Sequence, residues 1–111
     1  MDDVIIKDSS IRQFPNGLGV FANRDFKQGE VVLQYNLRVL SEEEFERLSY
    51  EEKMFTHKRH GIIYLYPIPA RYVNHSQKPN TIQNFTQGYD IAVRDIKKGE
   101  EITTNATGED Y

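Results

Sequence analysis

The sequence contains no cysteine in its 111 residues. That excludes disulfides, thiolate nucleophiles and cysteine-ligated zinc together. It also lacks any excess of positive charge, with 14 Lys+Arg against 17 Asp+Glu and a formal net charge of -3. Direct binding to nucleic acid through overall charge is therefore not expected. No apolar run approaches the roughly 18 residues of a membrane-spanning helix, so no membrane partner is expected. The first ten residues, MDDVIIKDSS, start acidic and hold a short apolar run, which is not the pattern of a signal peptide. Without such a signal, the N-x-S/T triplets at Asn74, Asn84 and Asn105 are not read as glycosylation sites.

What is present fits one domain spanning 1–111, with 38% hydrophobic and 28% charged residues. Short β-branched and apolar runs predict a mainly β (β-rich α+β) fold. Val4 to Lys7 reads as a first strand, with Ile11 to Phe14 as a candidate extension. Val31 to Tyr35 and Leu37 to Leu40 read as further strands, followed by Gly61 to Ile68. Thr81 to Phe85 and Tyr89 to Val93 read as a hairpin around Thr86-Gln87-Gly88. One helical region is expected over about 41–59. Ser41 with Glu44, and Ser49 with Glu52, form two capping boxes, and the second helix is expected to run to about Lys58 and stop at Gly61. The tail from Thr103 is polar and expected to be irregular.

Two segments repeat one another. Ala22 to Glu30 and Ala92 to Glu100 share Ala, Arg, Asp, Lys, Gly and Glu at matching positions. They read as similar strand–turn–strand units within one mixed β-fold.

Five sets of residues carry candidate chemistry. Gly17-Leu18-Gly19 follows a Pro-Asn turn. It is either a hairpin bend or a backbone bed for a nucleotide-like cofactor, and no helix pattern follows to make it a Rossmann fingerprint. Arg71 to Asn80, RYVNHSQKPN, places Asn74, His75 and Ser76 between an aromatic–aliphatic pair and a turn. These residues are either a buried polar knot or a ligand site. His57 and His60 are read as a solvated basic helix end, with metal binding as the alternative. Tyr64 and Tyr66 are read as packing on a sheet face, with a substrate groove as the alternative. The glutamates Glu42 to Glu44, Glu51 and Glu52 are read as a solvated face able to steer a basic substrate.

Taken together, GLGVFANRDFKQGEVV, RYVNHSQKPN and VRDIKKGEEIT resemble, in order and spacing, the SET-domain family of protein-lysine methyltransferases. The likeness runs from about Val4 to Tyr111 and is to the minimal bacterial, archaeal or viral type. Arg71, Tyr72, Val73, Asn74, His75, Ser76, Pro79 and Asn80 fit the central motif, while Gln77 replaces a frequent Cys. The resemblance implies small curved sheets with a C-terminal pseudoknot. It implies binding of S-adenosylmethionine and methyl transfer to a lysine of a protein or peptide substrate. Carried over by position, Gly17, Leu18 and Gly19 would offer backbone groups to the cofactor. Asn74 and His75 would hold its amino-acid and adenine ends, with Arg71 close by. Tyr35 falls where an aromatic lines the lysine channel. No metal is implied. The expected setting is intracellular, cytoplasmic in a prokaryote and nuclear in a virus or eukaryote.

One position departs from the pattern. Gly99-Glu100-Glu101-Ile102-Thr103-Thr104-Asn105 leads to Ala106, where the family places a Tyr facing the methyl. Tyr111 is the remaining tyrosine after Tyr89 and substitutes only if the tail folds back. The alternative reading is a non-catalytic SET-like module that binds cofactor or peptide. Because the sequence stops at Tyr111, the C-terminal cap over the cofactor is expected to be missing or supplied by a second subunit, which makes a homodimer one expected arrangement.

Overall fold

The computed structural model describes residues 3–11, 17–34, 36–84 and 87–105. Among these, short strands dominate: β1 (Val4–Asp8), β2 (Leu18–Ala22), β3 (Val31–Gln34), β4 (Arg38–Leu40), β5 (Thr56–Arg59), β6 (Ile62–Leu65), β7 (Asn74–His75), β8 (Thr81–Asn84), β9 (Tyr89–Ala92) and β10 (Glu101–Thr104). Two short helices, α1 (Glu42–Glu46) and α2 (Tyr50–Lys53), stand between β4 and β5. The strands form a four-stranded sheet in the order β1-β2-β10-β7 and two three-stranded sheets, β3-β9-β8 and β4-β6-β5. The mainly β expectation holds. The extension over Ile11 to Phe14 fails at its start, since Ile11 is a bend, and the rest lies outside the described residues.

The repeated segments are more than similar turns. They bind each other reciprocally. Phe26 N–H donates to the Ile96 carbonyl at 2.8 Å, and Ile96 N–H donates back to Phe26 at 2.9 Å. Gln28 N–H donates to the Asp95 carboxylate at 2.9 Å, and Lys98 N–H donates to Asp25 at 2.8 Å. Gly29 N–H reaches the Ala92 carbonyl and Gly99 N–H the Ala22 carbonyl, each at 2.8 Å. Both glycines stand at positive φ, +91° and +96°, a region that a side chain would strain. The strand leaving each turn pairs with the strand entering the other: Val31 faces Ile91 in β3–β9, and Glu101 faces Phe21 in β10–β2. The main core lies on this seam, where Phe26, Ile96, Ala22, Ala92, Val32 and Ile102 are all buried.

A second, smaller core lies under the helices. Leu40, Phe55, Ile63 and Leu65 are buried there, with Phe45 and Leu48 packed against them. Phe45 and Leu48 stand three residues apart and form one apolar stripe of this helical region. Tyr72 touches both cores, meeting Phe55 edge-on at 5.4 Å between ring centroids.

The helical region is shorter than expected. Ser41 forms its full capping box with Glu44, and the Ser49 hydroxyl accepts the Glu52 N–H, but α2 ends at Lys53. Residues Thr56 to Arg59 instead pair with β6. The cause is a two-residue hairpin at His60 and Gly61, both at positive φ, 50° and 80°. This is the turn whose twist suits paired strands. The glycine that looked like a helix stop makes the hairpin, and His57 lies in a strand instead of at a basic helix end. A second correction concerns the tail. Thr103 and Thr104 belong to β10 and are each 8% exposed, because the Asn80 side chain and β7 satisfy the polar groups beside them.

Candidate functional site

The four strands of the β1-β2-β10-β7 sheet each bring a residue to one polar knot. Ser9 follows β1, Leu18 opens β2, Glu101 opens β10 and Asn74 opens β7. The Asn74 side chain is fully buried. Its amide Nδ2 donates toward the Glu101 carboxylate at 2.8 Å, the Leu18 carbonyl at 3.1 Å and the Ser9 hydroxyl at 3.2 Å. Ser9 O–H lies 2.8 Å from both Glu101 oxygens. The Ser9 hydroxyl also accepts the Ile11 N–H at 3.0 Å, and Ser9 N–H donates to the Gly17 carbonyl at 2.7 Å.

The two glycines have different reasons. Gly17 adopts φ +69°, which suits the turn into β2. At Gly19 a Cβ would collide with the Glu101 carboxylate and come within 2.9 Å of the Ser9 Cβ. The close approach that the glycines permit at Gly19 is thus an approach of Glu101 and Ser9.

A second set of bonds fixes β10. Asn80 is buried at 2% exposure; its Nδ2 donates to the Glu101 carbonyl at 2.7 Å and its Oδ1 accepts the Thr103 N–H at 2.8 Å. Thr81 O–H donates to the Thr103 carbonyl at 2.7 Å. β10 then runs parallel to β7, with Thr103 opposite Asn74 and Thr104 opposite His75.

Among the described residues, two buried side-chain atoms have no hydrogen-bond partner, and they lie on these two strands: Asn74 Oδ1 and Thr104 Oγ1. Buried polar atoms are almost always paired, so each such atom asks for an explanation. Asn74 Oδ1 only accepts, and the carboxylate on the other side of the amide adds negative potential. A cationic N–H donor fits that position.

The expected site residues divide into groups. Gly17, Leu18, Gly19 and Asn74 come together around Glu101. His75 is half-buried beside them on β7. The Arg71 guanidinium goes elsewhere. It pairs with Glu52 at 2.8 Å, donates to the Tyr66 carbonyl at 3.0 Å and stacks over the Phe55 ring. Arg71 thereby ties α2 to the second core, and Glu52 is not merely part of a solvated face. Tyr66 accepts the Gln83 amide at 2.7 Å and packs on the main core, while Tyr64 sits in β6 between Val39 and His57. Tyr35, Ala106 and Tyr111 lie outside the described residues, as do Phe85 and Thr86 of the expected hairpin. The neighbours of position 35 are described: Gln34 and Asn36 line a cleft with Pro67, Ile68, Gln87 and Gly88. Ser9, Glu101 and Asn80 were not singled out as site residues from the sequence. The signal that could have found Glu101 is its alternation with Thr103 around Ile102, the polar–apolar–polar pattern of a half-buried strand.

Comparison with known proteins bears on the family and the fold. The SET domain model matches residues 17–105. The Variant-silencing SET domain-containing protein of Plasmodium falciparum is 34% identical over 124 residues, covering 90% of this chain and 5% of that protein. Human Histone-lysine N-methyltransferase 2D is 31% identical over 107 residues, covering 78% of this chain and 2% of that protein. The chain thus spans a small fraction of the curated relatives it matches. Among solved structures, an autoinhibited Polycomb Repressive Complex 2 from Chaetomium thermophilum bound to S-adenosylmethionine superposes with a TM-score of 0.73 at 23% identity. That match covers 98% of this chain and 16% of the other, and it speaks for the fold.

Proposed function

The chain belongs to the SET-domain family, and we propose that it transfers a methyl group from S-adenosylmethionine to a lysine side chain of a protein. The observation that carries this reading is Asn74, whose amide N–H groups are taken up by protein acceptors while Oδ1, buried, has none. S-adenosylmethionine has two cationic centres, and its ammonium, unlike its sulfonium, donates hydrogen bonds. Asn74 Oδ1 would accept from that ammonium, with the Gly17–Gly19 strand as the adjoining wall. Half-buried His75 would lie toward the adenine end. When bound, the cofactor supplies an activated methyl on sulfur.

What the chain must do is position and desolvate. Methyl transfer to an amine needs a neutral lysine aligned with the methyl at about 3 Å, and alignment supplies much of the rate. The cleft lined by Gln34, Asn36, Pro67 and Ile68 is the proposed entry for the lysine. A channel poor in water lowers the lysine pKa and favours the neutral amine. The names of the relatives support a lysine-bearing protein, histones included, as the substrate class. A homodimer belongs to the same proposal and is checked by light scattering.

Ala106 favours a second reading. Without a Tyr at that position the chain is a module that binds cofactor or peptide and turns over slowly or not at all. Incubation with labelled S-adenosylmethionine and a mixed protein lysate separates the two. Labelled protein supports the enzyme. Cofactor binding by calorimetry with no labelled protein leaves the module. Ala106→Tyr is expected to raise turnover.

A further inference from the structure

The hydrogen bonds of the knot assign a role to Glu101. We propose that Glu101 is a positioning residue that sets which way the Asn74 amide faces, and so makes the site selective for a ligand bearing a protonated amine. This deepens the cofactor reading above and rests on it.

A primary amide is nearly symmetrical in shape, and its polarity alone tells the two ends apart. Three acceptors converge on one end of Asn74: the Glu101 carboxylate, the Leu18 carbonyl and the Ser9 hydroxyl oxygen. An amide nitrogen carries two hydrogens, so this end is saturated. Rotating the amide by half a turn would set Oδ1 against a carboxylate and a carbonyl, three oxygens with one hydroxyl hydrogen to share. Ser9 O–H already lies 2.8 Å from both Glu101 oxygens, so that hydrogen is engaged. The rotated state is excluded by repulsion, and Oδ1 must face away from the knot.

The carboxylate is indispensable to this argument. A glutamine at 101 would present one carbonyl and one NH₂ group. With its NH₂ turned toward Asn74 it would donate to Oδ1, which stabilises the rotated amide. Asn74 would then offer N–H groups where the ligand needs an acceptor. Gly19 belongs to the same device. A Cβ there would collide with the Glu101 carboxylate, so glycine keeps open the space in which Glu101 sits. Glu101 itself is anchored through its backbone, since Asn80 Nδ2 holds its carbonyl at 2.7 Å. The result is a rigid chain of contacts from Asn80 through Glu101 to Asn74, ending on an acceptor with no partner among the described residues.

The test compares two ligands that differ by one amino group: S-adenosylhomocysteine and its desamino analogue. Their dissociation constants are measured for the wild type, Glu101→Gln and Asn74→Ala by ligand-observed NMR competition, which reads weak as well as tight binding. The wild type is expected to prefer the amine-bearing ligand by about tenfold or more, the scale of a hydrogen bond to a charged group. In Glu101→Gln that preference is expected to fall to about twofold or less, while affinity for the desamino analogue changes by less than about threefold. Asn74→Ala should abolish the preference as well. An unchanged preference in Glu101→Gln overturns the positioning role. So does an equal loss for both ligands, which would mark a purely structural residue. A wild type that binds neither ligand sinks the cofactor reading itself, a different result. If Glu101→Gln does not fold, Glu101→Met replaces it. Without the carboxylate the Ser9 hydrogen is free to donate to Oδ1 of the rotated amide, so the preference should fall about threefold, and no fall counts against the proposal.

Discussion

The two copies of the repeated turn share a backbone and part company in the strands that leave them. Ala22 to Glu30 leads into β3, which reads Val-Val-Leu-Gln. Ala92 to Glu100 leads into β10, which reads Glu-Ile-Thr-Thr. Val32 and Ile102 occupy matching buried places in the core. Their neighbours do not match. Val31 is 39% exposed, whereas Glu101 holds Asn74 in the knot, and buried Leu33 corresponds to Thr103, which bonds Asn80. The seam between the copies supplies the rigid part of the fold. Polar residues at alternate positions of one outgoing strand convert that rigidity into a site. A strand shows alternate residues to opposite faces, so one arm can serve the core with Ile102 and the knot with Glu101 and Thr103.

The largest test removes the seam. Phe26 and Ile96 are 1% and 0% exposed and bond each other through their backbones. Phe26→Ala is expected to cost about 3–5 kcal/mol and Ile96→Ala about 2–5, measured by urea unfolding. Costs below about 1 kcal/mol would mean that the copies do not rely on each other.

Asn80→Ala strikes the polar arm alone. It leaves the Glu101 carbonyl and the Thr103 N–H without their partners, for which about 2–4 kcal/mol is expected. Amide exchange should rise in β10 and leave β3 protected. A rise in both strands alike would show that the arms are not independent.

Asp25 and Asp95 probe the reciprocity directly. Each carboxylate accepts a backbone N–H from the other copy, at 2.8 and 2.9 Å. Asp25→Ala and Asp95→Ala are expected to cost about 1 kcal/mol each and to match within about 0.5. A clear inequality in thermal unfolding would break the equivalence of the turns.

The turns were readable because their chemistry is local. Glycine at positive φ and a carboxylate reaching back to an N–H three residues earlier both act within one segment. The same holds for the Ser41 cap and for the Phe45 and Leu48 stripe. Motif spacing made Asn74 and the glycine pair visible. It did not reveal that Ser9 and Glu101, 92 positions apart, share a hydrogen bond. Nor could it show that Arg71 serves Glu52, since two strands and a turn bring those residues together. β5 was misread because Ser49, Glu52 and the Lys58-Arg59 pair look helical locally. Pairing with β6 through the His60-Gly61 turn outweighs that preference. Thr103 and Thr104 were misread as tail because a polar sequence looks exposed until its partner, Asn80, is known.

The smallest test asks whether the reach-back carboxylate needs a partner copy. Glu30 accepts the Lys27 N–H at 2.6 Å and Glu100 the Lys97 N–H at 3.1 Å. Glu44 makes the same contact outside the pair, accepting the Ser41 N–H at 2.9 Å. That backbone bond first, and then the bond from Arg38, holds the Glu44 carboxyl below its ordinary 4.5. The folded state therefore binds the proton less readily than the unfolded chain does. Its contribution is complete above about 4.5 and is lost as pH falls through the lowered folded value. Arg38→Ala should move the Glu44 midpoint part of the way back up, because the Ser41 N–H remains. An NMR titration of the Glu44 carboxyl reads this directly. A midpoint that returns fully to the ordinary value would mean that Arg38, and not the backbone, does the holding, and the likeness between Glu44 and the two turn glutamates would fail.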